Sequence, residues 1–110
     1  MGRGQGEAYA PRVTRRLIVR PAAEADVVEA FRWYEARSPG LGAEFIRELE
    51  ACFARIETNP EIYAEQYRHA RRALLRRFPY AVFYVIQPDT VDVIACFHAR
   101  RDPRRWRARV

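Results

Sequence analysis

This chain of 110 residues contains no lysine, has only five glycines and two cysteines, and has no apolar run approaching membrane-spanning length. Each shortage excludes something. Cys52 and Cys96 are too few for a disulfide framework, and no repeated Cys/His spacing of the zinc-ligand kind accompanies them. Both read as buried thiols. The longest apolar stretch, Tyr80 to Ile86, is far short of the ~20 residues a bilayer requires. The basic first twenty residues hold no apolar core of signal-peptide length. With no Gly-rich phosphate loop, metal-ligand cluster or nucleophile motif, most enzyme classes have nothing to stand on. The expectation is a soluble, reduced, cytoplasmic protein with no membrane contact, no metal and no cofactor.

What is present is a foldable composition, with 49% hydrophobic, 31% charged and 13% aromatic residues, and a length that suits one domain. All 20 cations are arginine, which a GC-rich genome would also favour, and arginine supplies a planar fork that grips phosphate and carboxylate. The formal net charge is +6, unevenly spread, because residues 21–65 are acidic while 66–110 carry eleven arginines against three aspartates. That asymmetry points to an anionic partner for one face. The basic residues cluster as Arg71-Arg72, Arg76-Arg77, Arg100-Arg101 and Arg104-Arg105, which favours a binding surface over a merely solvated one.

Residues 1–12, with three glycines and a proline, read as a flexible N-terminal arm, and 13–110 as a single domain. Arg15 to Arg20 predicts a short strand stopped by Pro21. From Ala22 the period changes, and Ala23, Val27, Phe31 and Tyr34 mark one side of a helix ending by Ser38. The breaker Ser38-Pro39-Gly40-Leu41-Gly42 leads to a second helix whose stripe is Phe45, Leu49, Cys52, Phe53 and Ile56, closed by Asn59-Pro60. Residues 61–69 read as a loop. Three strand-length runs follow, Ala73 to Leu75, Tyr80 to Ile86 and Val91 to Phe97, the last two joined by a turn at Gln87 to Thr90. The predicted fold is α+β, β-α-α-β-β-β, with a small, mostly antiparallel sheet packed against an N-terminal helical hairpin.

The candidate chemistry rests on arginines and one histidine. His98 closes the last strand beside Arg100 and Arg101, and histidine exchanges a proton near neutral pH; a strand-end histidine bonded to backbone is the equal alternative. The meander is expected to set Arg76 and Arg77 beside the next strand, toward the end of the last one. Cations beside a histidine suit RNA cleavage, which needs an activated 2′-hydroxyl, an acid for the leaving 5′-oxygen and positive charge for the phosphorane. Asp102 reads equally as the cap of a final turn opened by Pro103. Trp106, among Arg104, Arg105, Arg107 and Arg109, stacks on a base or anchors the C-terminus, with the anchor favoured.

Taken in order, Trp33-Tyr34-Glu35, Pro39-Gly40-Leu41-Gly42, Phe45 to Glu50, Arg71-Arg72 with Leu74-Leu75, Arg77-Phe78-Pro79-Tyr80-Ala81-Val82, and His98 through Arg101-Asp102-Pro103 to Trp106 form a specific set. From about Thr14 to Arg107 the chain resembles the RelE/ParE superfamily of toxins from type II toxin–antitoxin systems, in the branch labelled plasmid stabilisation proteins. The resemblance implies a helical hairpin over a small sheet and an acidic antitoxin as partner in a hetero-oligomer. For function it implies ribosome-dependent cleavage of mRNA (an mRNA interferase), with Arg77 and His98 as catalytic residues. Arg71, Arg72, Arg76, Arg100, Arg101, Arg104, Arg105 and Trp106 would then contact nucleic acid or target. Two departures stand against that reading, since the lysines and the C-terminal tyrosine of several ribonuclease members are absent. The alternatives are a non-catalytic inhibitor of DNA gyrase and an inactive relative that binds only antitoxin.

Overall fold

The first strand, β1 (Arg16–Val19), shows why this chain folds where it does. Leu17 and Val19 pack on the core and Arg16 and Ile18 point away, the period-two alternation of a half-buried strand. Pro21 then opens helix α1 (Pro21–Arg37), at the first helical position, where a missing N–H costs no bond. The computed structural model describes residues 15–110, so the arm expected over 1–12 lies outside the described residues. The buried stripe of α1 is narrow, with Ala23, Ala30 and Tyr34 inward, and the small residues let the helix lie close to the sheet.

The turn into α2 (Leu41–Thr58) accounts for two of the distinctive sequence pieces. Glu35 accepts hydrogen bonds from the backbone N–H of Gly40 at 2.9 Å and of Gly42 at 3.0 Å. Its carboxylate thus sits on amides that have no helical acceptor, at the positive end of the α2 dipole. Gly40 has φ of 89°, and a Cβ on Gly42 would stand 2.7 Å from the Phe31 ring and 2.9 Å from Glu35 Oε1. The glycines and Glu35 are therefore parts of one helix junction. Beyond it, Phe45, Leu49, Cys52 and Ile56 bury the predicted stripe.

A single turn of 3-10 helix (Pro60–Ile62) leads to β2 (Glu65–Tyr67), β3 (Ala70–Leu74), β4 (Tyr80–Ile86), β5 (Thr90–His98) and a short helix α3 (Arg104–Arg107). The five strands are ordered β1-β5-β4-β3-β2. Among the described residues β1 and β5 run parallel and the other pairs are antiparallel. The α+β layout is the one expected, and β2 is an addition within the stretch read as a loop. It pairs with β3 through a two-residue turn, Arg68-His69, whose φ values are 49° and 70°. Two-residue hairpin turns favour that left-handed geometry but usually write it as Asn-Gly. Arg-His carries no such signal.

The sheet has two covered faces. Toward the helical hairpin, Val82, Tyr84, Val91, Val93 and Cys96 join the main core, and Tyr34, Phe45, Phe78 and Tyr80 form an aromatic cluster with centroids 4.9–5.8 Å apart. On the back, Ala70, Ala81, Phe83, Ala95 and Phe97 are covered by Trp106 of α3, whose ring stacks on Phe83 at 4.3 Å. Trp106 is 5% exposed. It is the C-terminal anchor, and a base cannot stack on it.

Candidate functional site

The site grows out of an unfinished strand edge. β1 pairs with β5 only along Thr90–Val93; at Arg20 the chain gives one last N–H to Val93 O, then turns into α1. Among the described residues, the rest of that edge, from Ile94 to His98, has no strand paired to it. Between the pairs Phe83–Ala95 and Tyr84–Val93, Ile94 is an extra residue, a β-bulge. Its carbonyl accepts from Arg109 Nη1 at 2.9 Å, and the Cys96 N–H donates to Asp26 Oδ2 at 3.0 Å. Arg109 and Asp26 in turn form an ion pair with contacts of 2.6 and 3.2 Å. Two charged side chains, Asp26 of α1 and Arg109, thus bond the backbone groups of Cys96 and Ile94 on this edge. Neither was singled out in the sequence, because the pairing spans 83 positions.

Next to this edge, between α1, the start of β4 and the end of β5, lies a cleft of about 770 Å³, walled by Glu29, Trp33, Tyr34, Tyr80, His98 and Arg101. Trp33 is half exposed and carries the Arg37 guanidinium 4.1 Å over its ring. His98 packs edge-on against Tyr80, its partner across the ladder, at 5.6 Å. Its Nδ1 accepts the backbone N–H of Arg100 at 3.1 Å. A neutral ring in that bond carries its proton on Nε2, so its basic lone pair is already in use. This is the backbone-bonded histidine that the sequence held open.

The other titratable groups of the cleft do not complete an acid–base set. Burial pushes the Tyr34 and Tyr80 hydroxyls up, so both stay protonated at neutral pH. Asp102 accepts both the side-chain and backbone N–H of Arg104, which lowers its carboxyl to about 2. It is the turn cap. Burial, the Asp26 carboxylate and Cys52 push the Cys96 thiol up to about 12. That thiol is no nucleophile.

Arg77 departs from expectation. It has φ of 71°, and its guanidinium turns to α2, meeting Glu44 at 2.9 Å and Glu48 at 3.7 Å, instead of reaching the end of β5. It does not line the cleft that holds His98. Glu44 and Glu48, one turn apart on α2, form the anionic site it meets.

The remaining arginines divide by partner. Arg71 fastens the stretch after α2, donating to Tyr63 O at 2.6 Å and pairing with Glu65 at 3.3 Å. Arg104 is tied to Asp102. Arg100 and Arg101 line the cleft, Arg76 is exposed in the β3–β4 loop, and Arg72 lies opposite Phe83 on the back of the sheet. Arg101 and Arg105 lie over the Phe97 ring at 5.4 and 5.7 Å. Among the described residues no group of His, Cys, Asp and Glu could hold a metal, and no helix is long and apolar enough to cross a membrane.

Comparison with known proteins gives this geometry a context. The family described as ParE toxin of type II toxin-antitoxin system, parDE, matches residues 17–103. Toxin ParE2 of Mycobacterium tuberculosis is 30% identical over 99 residues, covering 89% of this chain and 94% of that protein, in both strain CDC 1551 / Oshkosh and strain ATCC 25618 / H37Rv. Among solved structures, one titled "Chromosomal ParDE TA system from P. aeruginosa" superposes with a TM-score of 0.71 at 12% identity, covering 79% of this chain and 98% of that one.

Proposed function

The chain belongs to the ParE toxin family of type II toxin–antitoxin systems, and from that premise we propose that it is a non-catalytic toxin that inhibits DNA gyrase by binding it. One observation carries the choice between this and RNA cleavage. Arg77, the residue that would stabilise a phosphorane, is held by Glu44 and Glu48 on α2, while His98 is engaged by the Arg100 N–H in a separate cleft. RNA cleavage requires a base, an acid and a fixed cation around one phosphate. A binding toxin requires none of these. The basic residues clustered in 66–110 then serve recognition, and an acidic antitoxin segment that folds on the toxin would neutralise them.

The test is a purified supercoiling assay, with full-length toxin titrated onto gyrase and relaxed plasmid. Wild-type protein and the His98→Ala and Arg77→Ala variants should all inhibit supercoiling, while none shortens a ribosome-bound message. Message cleavage that disappears in either variant, with gyrase unaffected, would return the chain to the ribonuclease reading. A toxin inert in both assays, and in growth without antitoxin, would be a relative that only binds antitoxin.

A further inference from the structure

The back of the sheet carries a second basic surface, which meets the cleft at Arg101. Beneath it runs an aromatic floor of Phe97, Phe83, Trp106 and Tyr67, with Trp106 4.3 Å from Phe83 and 6.1 Å from Tyr67. Guanidiniums pave it. Arg101 and Arg105 lie over Phe97, Arg107 over Tyr67 at 4.9 Å and Trp106 at 5.6 Å, and Arg68 over Tyr67 at 5.3 Å. Arg72 stands opposite Phe83 on the same face.

Among the described residues these five guanidiniums have no carboxylate within ion-pairing distance, because the neighbouring acids are already engaged. Asp26 holds Arg109, Asp92 holds Arg20, Asp102 holds Arg104 and Glu65 holds Arg71. Stacking on rings orients the forks of Arg68, Arg101, Arg105 and Arg107, so little side-chain freedom remains to be lost there when an anion arrives.

We propose that this face, Arg68, Arg72, Arg101, Arg105 and Arg107, docks on the phosphate backbone of double-stranded DNA. The burial pattern selects a duplex. Phe97 and Trp106 are 4% and 5% exposed beneath their guanidiniums, and Tyr67, partly buried, lies under Arg68 and Arg107, so the described residues offer no open row of rings of the kind a single-strand site needs. Nor do the described residues offer a protein partner an apolar core here; the large exposed apolar residues nearest this face, Ile18 on β1, Leu74 at the end of β3 and Val110 after α3, are scattered. Paired phosphates, with the bases turned inward, ask only for oriented cations. The choice of DNA over duplex RNA rests on the gyrase reading, in which the target itself holds a DNA duplex; the surface is independent of that reading.

The experiment is fluorescence anisotropy of a labelled 24-base-pair DNA duplex titrated with the full-length toxin, without gyrase, between 50 and 200 mM salt. Five phosphate contacts predict a slope of log K against log salt of about −4.5, hence about 500-fold weaker binding across that range. Arg105→Ala/Arg107→Ala should reduce the slope by about 2. Arg32→Ala/Arg47→Ala, which removes the same charge from exposed positions on α1 and α2, should leave binding unchanged. Equal losses in the two double variants, tighter binding of the single strand or of duplex RNA, or equal binding of poly-glutamate would each overturn the proposal. Gyrase inhibition without duplex binding would remove this surface and keep the proposed function; duplex binding without gyrase inhibition would do the reverse.

Discussion

Replacing Asp26 by alanine is the perturbation that the fold should feel most. The carboxylate accepts three donors, the Cys96 N–H at 3.0 Å and two guanidinium nitrogens of Arg109 at 2.6 and 3.2 Å. Without it, the Cys96 N–H is left in the core with no acceptor, and Arg109 keeps only the Ile94 carbonyl. Removing one partner of a buried pair costs about 3–5 kcal/mol. The Arg109 side chain is 26% exposed, so water recovers part of that and the expectation is the lower end, about 3 kcal/mol. For a domain of this size that corresponds to a fall in Tm of about 12–24 °C. Arg109→Ala should be destabilising too, and Asp26→Ala/Arg109→Ala should cost less than the sum of the two, with a coupling of about 1–3 kcal/mol. Urea unfolding followed by tryptophan fluorescence, with thermal melts beside it, reads all three variants. An Asp26→Ala protein within about 0.5 kcal/mol of wild type, the range of ordinary surface changes, would refute the idea that this pair holds the β5 edge.

Other consequences follow from local geometry. Gly42→Ala places a methyl 2.7 Å from the Phe31 ring and should cost about 1–3 kcal/mol, read as a lower denaturation midpoint. His69→Gly relieves a left-handed residue with φ of 70° and should stabilise by up to about 1 kcal/mol, read as a higher melting temperature. Burial would push the Asp92 carboxyl up, but the Thr90 hydroxyl and the Arg20 guanidinium outweigh it and hold it below the usual carboxylate range. A carboxylate with a lowered native value stabilises above its unfolded pKa, near 3.9, and that contribution is lost as pH falls through the native value. Melts between pH 2 and 7 should therefore show Asp92→Asn losing stability at neutral pH, with a shallower acid decline than wild type.

Most of the fold was legible because its elements declare themselves locally. The α2 stripe from Phe45 to Ile56 and the β4 run from Tyr80 to Ile86 are dictated by periodicity and burial, and Pro21, Gly40 and Asn59-Pro60 mark their own boundaries. The β2–β3 hairpin was not legible, since Arg68-His69 adopts a turn normally written with glycine. Within the site, His98 could be placed at the end of a strand from sequence, and the backbone bond to its Nδ1 was one of two open readings. The direction of Arg77 could not be read, because it depends on two carboxylates about thirty residues away that come close only after α2 packs on the sheet. Asp26 and Arg109 were invisible for the same reason. Pairings between distant positions leave no periodic trace.

Membership of the ParE family leaves the target as the central claim, and one measurement addresses it most directly. The toxin would be induced in bacteria lacking its antitoxin, and plasmid supercoiling and the 5′ ends of messages would be recorded in the same cells. A relaxed plasmid or broken chromosome with intact messages, unchanged by His98→Ala, is the predicted result. New 5′ ends within translated codons that vanish in His98→Ala, with supercoiling intact, would contradict it.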